Sequence, residues 1–155
     1  MKLYWLRHGI AADRESWQGS DADRPLTPEG RKNMQREAKG MQSLDLRLDL
    51  IVTSPLRRAK ETAQFVADRL KLKLVEDERL ADLNREGLAQ LLRDHRDAES
   101  VLIVGHEPDF SEVVGEVIGS ARIDFKKGAL ARTDIDLTTM HGELLWLIPP
   151  KALML

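Results

Sequence analysis

The chain has 155 residues, with 24 basic and 26 acidic side chains, a net charge of −2 and no cysteine. That length fits one domain over 1–155, the balanced charge gives no pull toward nucleic acid or an anionic membrane, and the missing cysteines exclude disulfides, thiolate nucleophiles and thiolate metal sites. The four apolar residues after Met1-Lys2 are too few for the apolar core of a leader, and no stretch reaches the length of a membrane span, so the expected location is the cytoplasm.

Leu3-Tyr4-Trp5-Leu6 closes on Arg7-His8-Gly9. A short apolar run bounded by Gly predicts a buried strand, Lys2–Leu6. A guanidinium and an imidazole fixed at the end of such a strand need a partner, and an anion suits both. Gly9 lets another group come close to the backbone. Residues 10–26 lack periodicity and are rich in Asp, Arg, Ser and Gly, which predicts a surface loop over one sheet edge.

Thr27-Pro28-Glu29 has the form of an N-cap followed by Pro at the first helical position, opening a helix to about Ser43 with Met34, Ala38 and Met41 on its apolar face. Asp49–Thr53 reads as a second strand. Ser54-Pro55 repeats the helix-start signal, and Ala59, Ala63, Val66 and Leu70 form the stripe that follows. Lys73–Val75 is a third strand, and Leu88, Leu91, Leu92 and His95 mark a third helix. Val101–Val104 is a fourth strand, ending in Gly105-His106. Phe110, Val113, Val114, Val117 and Ile118 give a fourth helix behind an Asp109–Glu112 capping-box pattern. Ala129–Asp136 and Glu143–Ile148, joined by a loop with His141-Gly142, predict an antiparallel hairpin at or near a sheet edge.

Alternating strands and helices predict an α/β fold: a three-layer sandwich with a mostly parallel central sheet flanked by helices and a C-terminal antiparallel hairpin. In open α/β sheets, ligands bind beyond the carboxyl ends of the parallel strands. Arg7 and His8, then Arg57 and Arg58, then His106 all fall at that edge, and helix N-termini there add amide donors and partial positive charge. This is the pattern of a site for a doubly charged anion, with phosphate the foremost candidate. Arg57 reads equally well as a solvated surface charge, and His106 by itself as a core histidine. His95 and His141 fit structural positions. No metal-ligand spacing such as H-E-x-x-H is present, so no metal site is expected.

Leu6-Arg7-His8-Gly9, Ser54-Pro55-Leu56-Arg57-Arg58-Ala59 with Thr62-Ala63, and Val104-Gly105-His106-Glu107 resemble, in order, the motifs of the histidine phosphatase superfamily, which includes the phosphoglycerate mutases. The small size and Arg24-Pro25-Leu26-Thr27-Pro28-Glu29-Gly30 resemble its SixA-type branch, the phosphohistidine phosphatases. The resemblance implies that His8 is the nucleophile, that Arg7, Arg58 and His106 bind the phosphoryl group, and that Arg24 joins the pocket from the first loop beside Gly9. It implies no cofactor or metal, a histidine-phosphorylated protein such as a phosphorelay domain as partner, and inorganic phosphate as product. Members that cleave phosphate esters place an acid after the third strand. Asp82 resembles that position, with Glu78 second, and is either a proton donor in the substrate pocket or a loop carboxylate capping the next helix. Two alternatives therefore stand beside a phosphohistidine phosphatase: a phosphatase of small phosphate monoesters, and a non-catalytic module that binds phosphorylated partners. The apolar tail Ala152–Leu155 packs either on the core or on another subunit.

Overall fold

A computed structural model covers residues 1–155. Four strands, β1 (Lys2–Arg7), β2 (Leu50–Thr53), β3 (Leu74–Glu76) and β4 (Ser100–Gly105), run parallel, because a helix after each of the first three carries the chain back to its starting edge. These helices are α1 (Pro28–Ser43), α2 (Arg57–Leu70) and α3 (Arg85–Asp94). A fourth, α4 (Asp109–Val117), leads to β5 (Leu130–Ile135) and β6 (Gly142–Ile148), an antiparallel pair, and the chain closes with the short α5 (Pro150–Leu153). The sheet order is β3-β2-β4-β1-β5-β6, with β5 antiparallel to β1 and the hairpin at one edge, as predicted.

Strand periodicity sorts the core into two layers. Leu3, Trp5, Val52, Val101 and Ile103 pack under α3 and α4 with Leu88, Leu91, Phe110 and Val114. Their neighbours Tyr4, Leu6, Ile51, Leu102 and Val104 face the other way, onto Met34, Met41, Ala63 and Val66 of α1 and α2. All six residues of β4 are buried, which explains why the central parallel strand reads as an unbroken apolar run. Register sets the strand ends level: Arg7 pairs with Gly105, and Thr53 with Val104. Three loops therefore leave the sheet side by side.

Two helix starts differ from the sequence reading. Thr27 caps α1 as predicted, its Oγ1 accepting from Gly30 N at 2.9 Å. The second helix begins at Arg57, not at Ser54-Pro55: Ser54 Oγ accepts from Leu56 N at 3.2 Å and makes a turn ahead of the helix. The Asp109–Glu112 capping box does not form. Asp109 Oδ2 accepts instead from Leu83 N at 3.0 Å, and Glu107 Oε1 takes the Ser111 N–H at 2.7 Å. The apolar tail packs on the core through Leu153, which is buried against α1. Gly40 permits that approach, since a Cβ there would overlap the Leu153 carbonyl oxygen. No helix is long and apolar enough to cross a membrane.

Candidate active site

The end of β1 is pinned on three sides. His8 N donates to Gly105 O at 3.1 Å, Arg7 N to Ala129 O at 3.2 Å, and Gly128 N is shared between the carbonyls of Arg7 and His8 at 3.1 Å each. Gly9 N donates to Thr62 Oγ1 at 3.1 Å, and the same hydroxyl donates to Arg58 O at 2.8 Å, so one threonine ties the first loop to α2. A Cβ on Gly9 would meet Met34 Cγ at 2.9 Å, so the glycine lets α1 lie against the loop. Its N–H is already used, and its contribution to the site is positional.

The His8 ring is buried, with Nδ1 2.8 Å from Gly9 O. A carbonyl only accepts, so this contact places the ring proton on Nδ1 and leaves the Nε2 lone pair free. Burial holds the His8 pKa well below the usual imidazole value; the Gly9 contact opposes this, while His106, Arg58 and Arg7 add to it. The ring is thus neutral near pH 7, the form in which nitrogen is a nucleophile.

His106 faces it, with ring centroids 5.2 Å apart. Its Nε2 lies 2.7 Å from Ser54 Oγ, while Nδ1 is buried without a partner. Burial, reinforced by Arg58, lowers its pKa to about 4. An arriving dianion would offset the cationic neighbours and favour the protonated ring.

Three guanidiniums surround these rings. Arg7 Nη1 donates to Phe125 O at 2.8 Å, Arg58 Nη1 to Asp21 O at 2.9 Å, and Arg24 Nη1 to Ala12 O at 2.8 Å. Each is anchored through a backbone carbonyl. The Nε atoms of Arg7 and Arg58 are, like His106 Nδ1, buried and unpartnered. Three guanidiniums converging on two imidazoles, with spare N–H donors on Arg7 and Arg58, suit an anionic acceptor. Arg57 stays at the surface, paired with Glu61.

These groups line one cavity of about 500 Å³, with Arg14, Asp13, Thr27, Glu107 and Lys127 around it. Residues 10–26 do more than cover an edge. Ala11 bridges to Leu26, and a 3-10 turn at Asp21–Asp23 carries Asp21 to Arg24 and Arg58. The structure therefore gathers Arg7, His8, Arg24, Arg58 and His106, the residues singled out from sequence. It does not bring Asp82 with them. Asp82 follows the 3-10 turn Glu78–Ala81 and does not line the cavity; the Leu83 bond to Asp109 fastens this segment to the start of α4. Asp109 is pushed up by burial, with Asp82 among the charges adding to the rise. Sequence reasoning assigned no site role to Ser54, Thr62 or Asp21. The first two sit inside the motif that was read, but Asp21 carries no local signal. No group of three or more His, Asp or Glu side chains is placed to hold a metal ion.

A family model for the histidine phosphatase superfamily (branch 1) matches residues 3–99. An uncharacterized protein of Picosynechococcus sp. is 40% identical over 96% of this chain and all of its own length. The phosphohistidine phosphatase SixA of Escherichia coli is 28% identical over 97% of this chain and 94% of that protein. The solved structure of the protein histidine phosphatase SixA complexed with tungstate superposes with a TM-score of 0.86 at 25% identity, covering 97% of this chain and 98% of that one.

Proposed function

The chain belongs to the histidine phosphatase superfamily, and from that premise we propose that it removes phosphate from protein phosphohistidine through a phosphoenzyme formed on His8. A phosphatase of this superfamily, similar to SixA over its whole length, is the frame. The observation that carries the finer reading is the pairing of a neutral His8, its proton on Nδ1, with the guanidiniums of Arg7, Arg24 and Arg58 and the His106 ring around one cavity.

In this reading His8 Nε2 attacks phosphorus, and the bond to the substrate's imidazole nitrogen breaks with its electron pair leaving on that nitrogen. Arg7, Arg58 and Arg24 hold the phosphoryl oxygens, where planar guanidiniums supply paired donors. His106, charged once the dianion is bound, adds a further donor. Water then attacks the phosphoenzyme, restoring His8 and releasing inorganic phosphate. Positioning and electrostatics supply the rate enhancement, and no metal is needed. A phosphoramidate leaves as an imidazole that already carries a proton, so the position of Asp82 outside the cavity favours this substrate over an ester.

A second reading rests on one feature: Glu107 lines the cavity and is a carboxyl available to protonate an alkoxide leaving group. Incubating the chain with a histidine-phosphorylated relay domain, and separately with a panel of phosphate monoesters, distinguishes the two. The expected result is phosphate release from the relay domain, unchanged by a chelator, with slow monoester turnover. Rapid ester hydrolysis that falls on Glu107→Gln, with no release from the relay domain, would replace the first reading by the second.

A further inference from the structure

Asp21 is not among the residues lining the cavity, but its carboxylate contacts two guanidiniums that are, those of Arg24 and Arg58. Its Oδ1 accepts from Arg24 Nε at 3.1 Å and its Oδ2 from Arg58 Nη2 at 3.2 Å. Ion pairs usually position cations, but here each guanidinium has a separate anchor. Arg58 Nη1 is held by the backbone carbonyl of Asp21, and Arg24 Nη1 by that of Ala12. Removing the carboxylate leaves both anchors in place. The two sides of the pair also differ in freedom: the Arg58 side chain is 4% exposed and that of Asp21 is 51% exposed. The carboxylate can swing to water at little cost, while the guanidinium cannot follow it.

Charge points the same way. Five cations, Arg7, Arg14, Arg24, Arg58 and Lys127, line the cavity against two carboxylates, Asp13 and Glu107, so the lining carries an excess of positive charge. Burial pushes the Asp21 carboxyl up, but the Arg58 charge and the bonds from Arg24 and Arg58 outweigh it and hold the group ionised. In the free protein it satisfies donors that would otherwise face one another unpaired.

Resting on the reading of this cavity as a phosphoryl site, we propose that Asp21 is a built-in counter-anion, paired with Arg24 and Arg58 in the free protein and releasing those guanidiniums to phosphoryl oxygens when substrate binds. Its return as phosphate leaves speeds product release. The exchange also favours dianions, because an incoming group must outcompete a carboxylate already in contact.

Titration of inorganic phosphate into the unmodified chain, Asp21→Asn and Asp21→Ala tests this by calorimetry. Loss of the competitor is expected to tighten phosphate binding by about tenfold in both variants, since each removes one nearby negative charge and retains the backbone carbonyl. Stronger product inhibition by phosphate accompanies it. Unchanged or weaker binding in the variants would overturn the proposal and make the carboxylate a support for the arginines. If the unmodified chain itself binds no phosphate, the reading of the cavity falls together with it; if the unmodified chain binds and the variants bind no tighter, only the role of Asp21 falls. A structure of the unmodified chain with phosphate gives an answer independent of variant folding. Asp21 Oδ2 moved off Arg58 supports the exchange, and Oδ2 still at its present distance contradicts it.

Discussion

Replacing His8 with alanine is expected to lower phosphate release from a phosphorylated relay domain by at least ~10³-fold, the scale of loss when a covalent nucleophile is removed. Binding of inorganic phosphate should survive within a few-fold, because Arg7, Arg24 and Arg58 are each anchored on backbone carbonyls and none is held by the His8 ring. The combination separates a nucleophile from a structural histidine. A ring needed only for packing would, on truncation, disturb the arginines and turnover together. Single-turnover release and phosphate calorimetry on the same variant check both halves. Release at the unmodified rate, or phosphate affinity lost in step with turnover, would remove His8 from the role assigned to it.

The second large effect lies outside the cavity. Glu37 of α1 is 1% exposed and its Oε2 has no hydrogen-bond partner. Burial raises its pKa from 4.5 to about 9. Below pH 4.5 the folded and unfolded chains both carry the proton. Between the two values the unfolded chain ionises and the folded one does not, so stability falls as pH rises, by ~1.4 kcal/mol per pH unit. At pH 7 the accumulated loss is about 3 kcal/mol, a large share of the ~5–15 kcal/mol that holds a typical domain together. Glu37→Gln cannot ionise and should be more stable than the unmodified chain by about that amount at pH 7, by more at pH 8 and by little at pH 5. His106, whose lowered pKa costs stability as pH falls from 6.5 toward 4, is common to both chains and cancels in the difference. Urea unfolding of the pair at the three pH values measures it. A difference that does not grow with pH would contradict a buried neutral carboxyl.

The recognisable parts of this site are those set by short-range physics. A buried strand that ends in Arg7-His8 points to an anion from sequence, because both groups need a polar partner there and an anion suits both. Four strand ends and four helices were legible from periodicity, and the level ends of β1, β2 and β4 follow from the parallel register that the alternation implies. What was hidden depends on contacts distant in sequence. The start of α2 was misplaced because Ser54 spends its hydroxyl on Leu56 and His106 instead of capping the helix. The capping box of α4 failed because Leu83, some distance upstream, takes the Asp109 carboxylate. Asp82 looked available for the same reason: nothing local reveals that its segment is drawn toward α4. The first loop was the least readable. Its shape comes from Arg24 reaching Ala12 and from Asp21 reaching Arg58, and side-chain pairs of that kind leave no period in the sequence.

His8 Nε2 is the atom proposed to take the phosphoryl group. Mixing the chain with an excess of phosphorylated relay domain, quenching in alkali to preserve phosphoramidates, and locating the label by peptide mass spectrometry and ³¹P resonance tests that atom directly. The predicted result is one phosphate on His8, bonded at Nε2, formed and lost at rates that match turnover and absent from His8→Ala. Phosphate on another residue, attachment at Nδ1, or full turnover with no phosphoenzyme would contradict it.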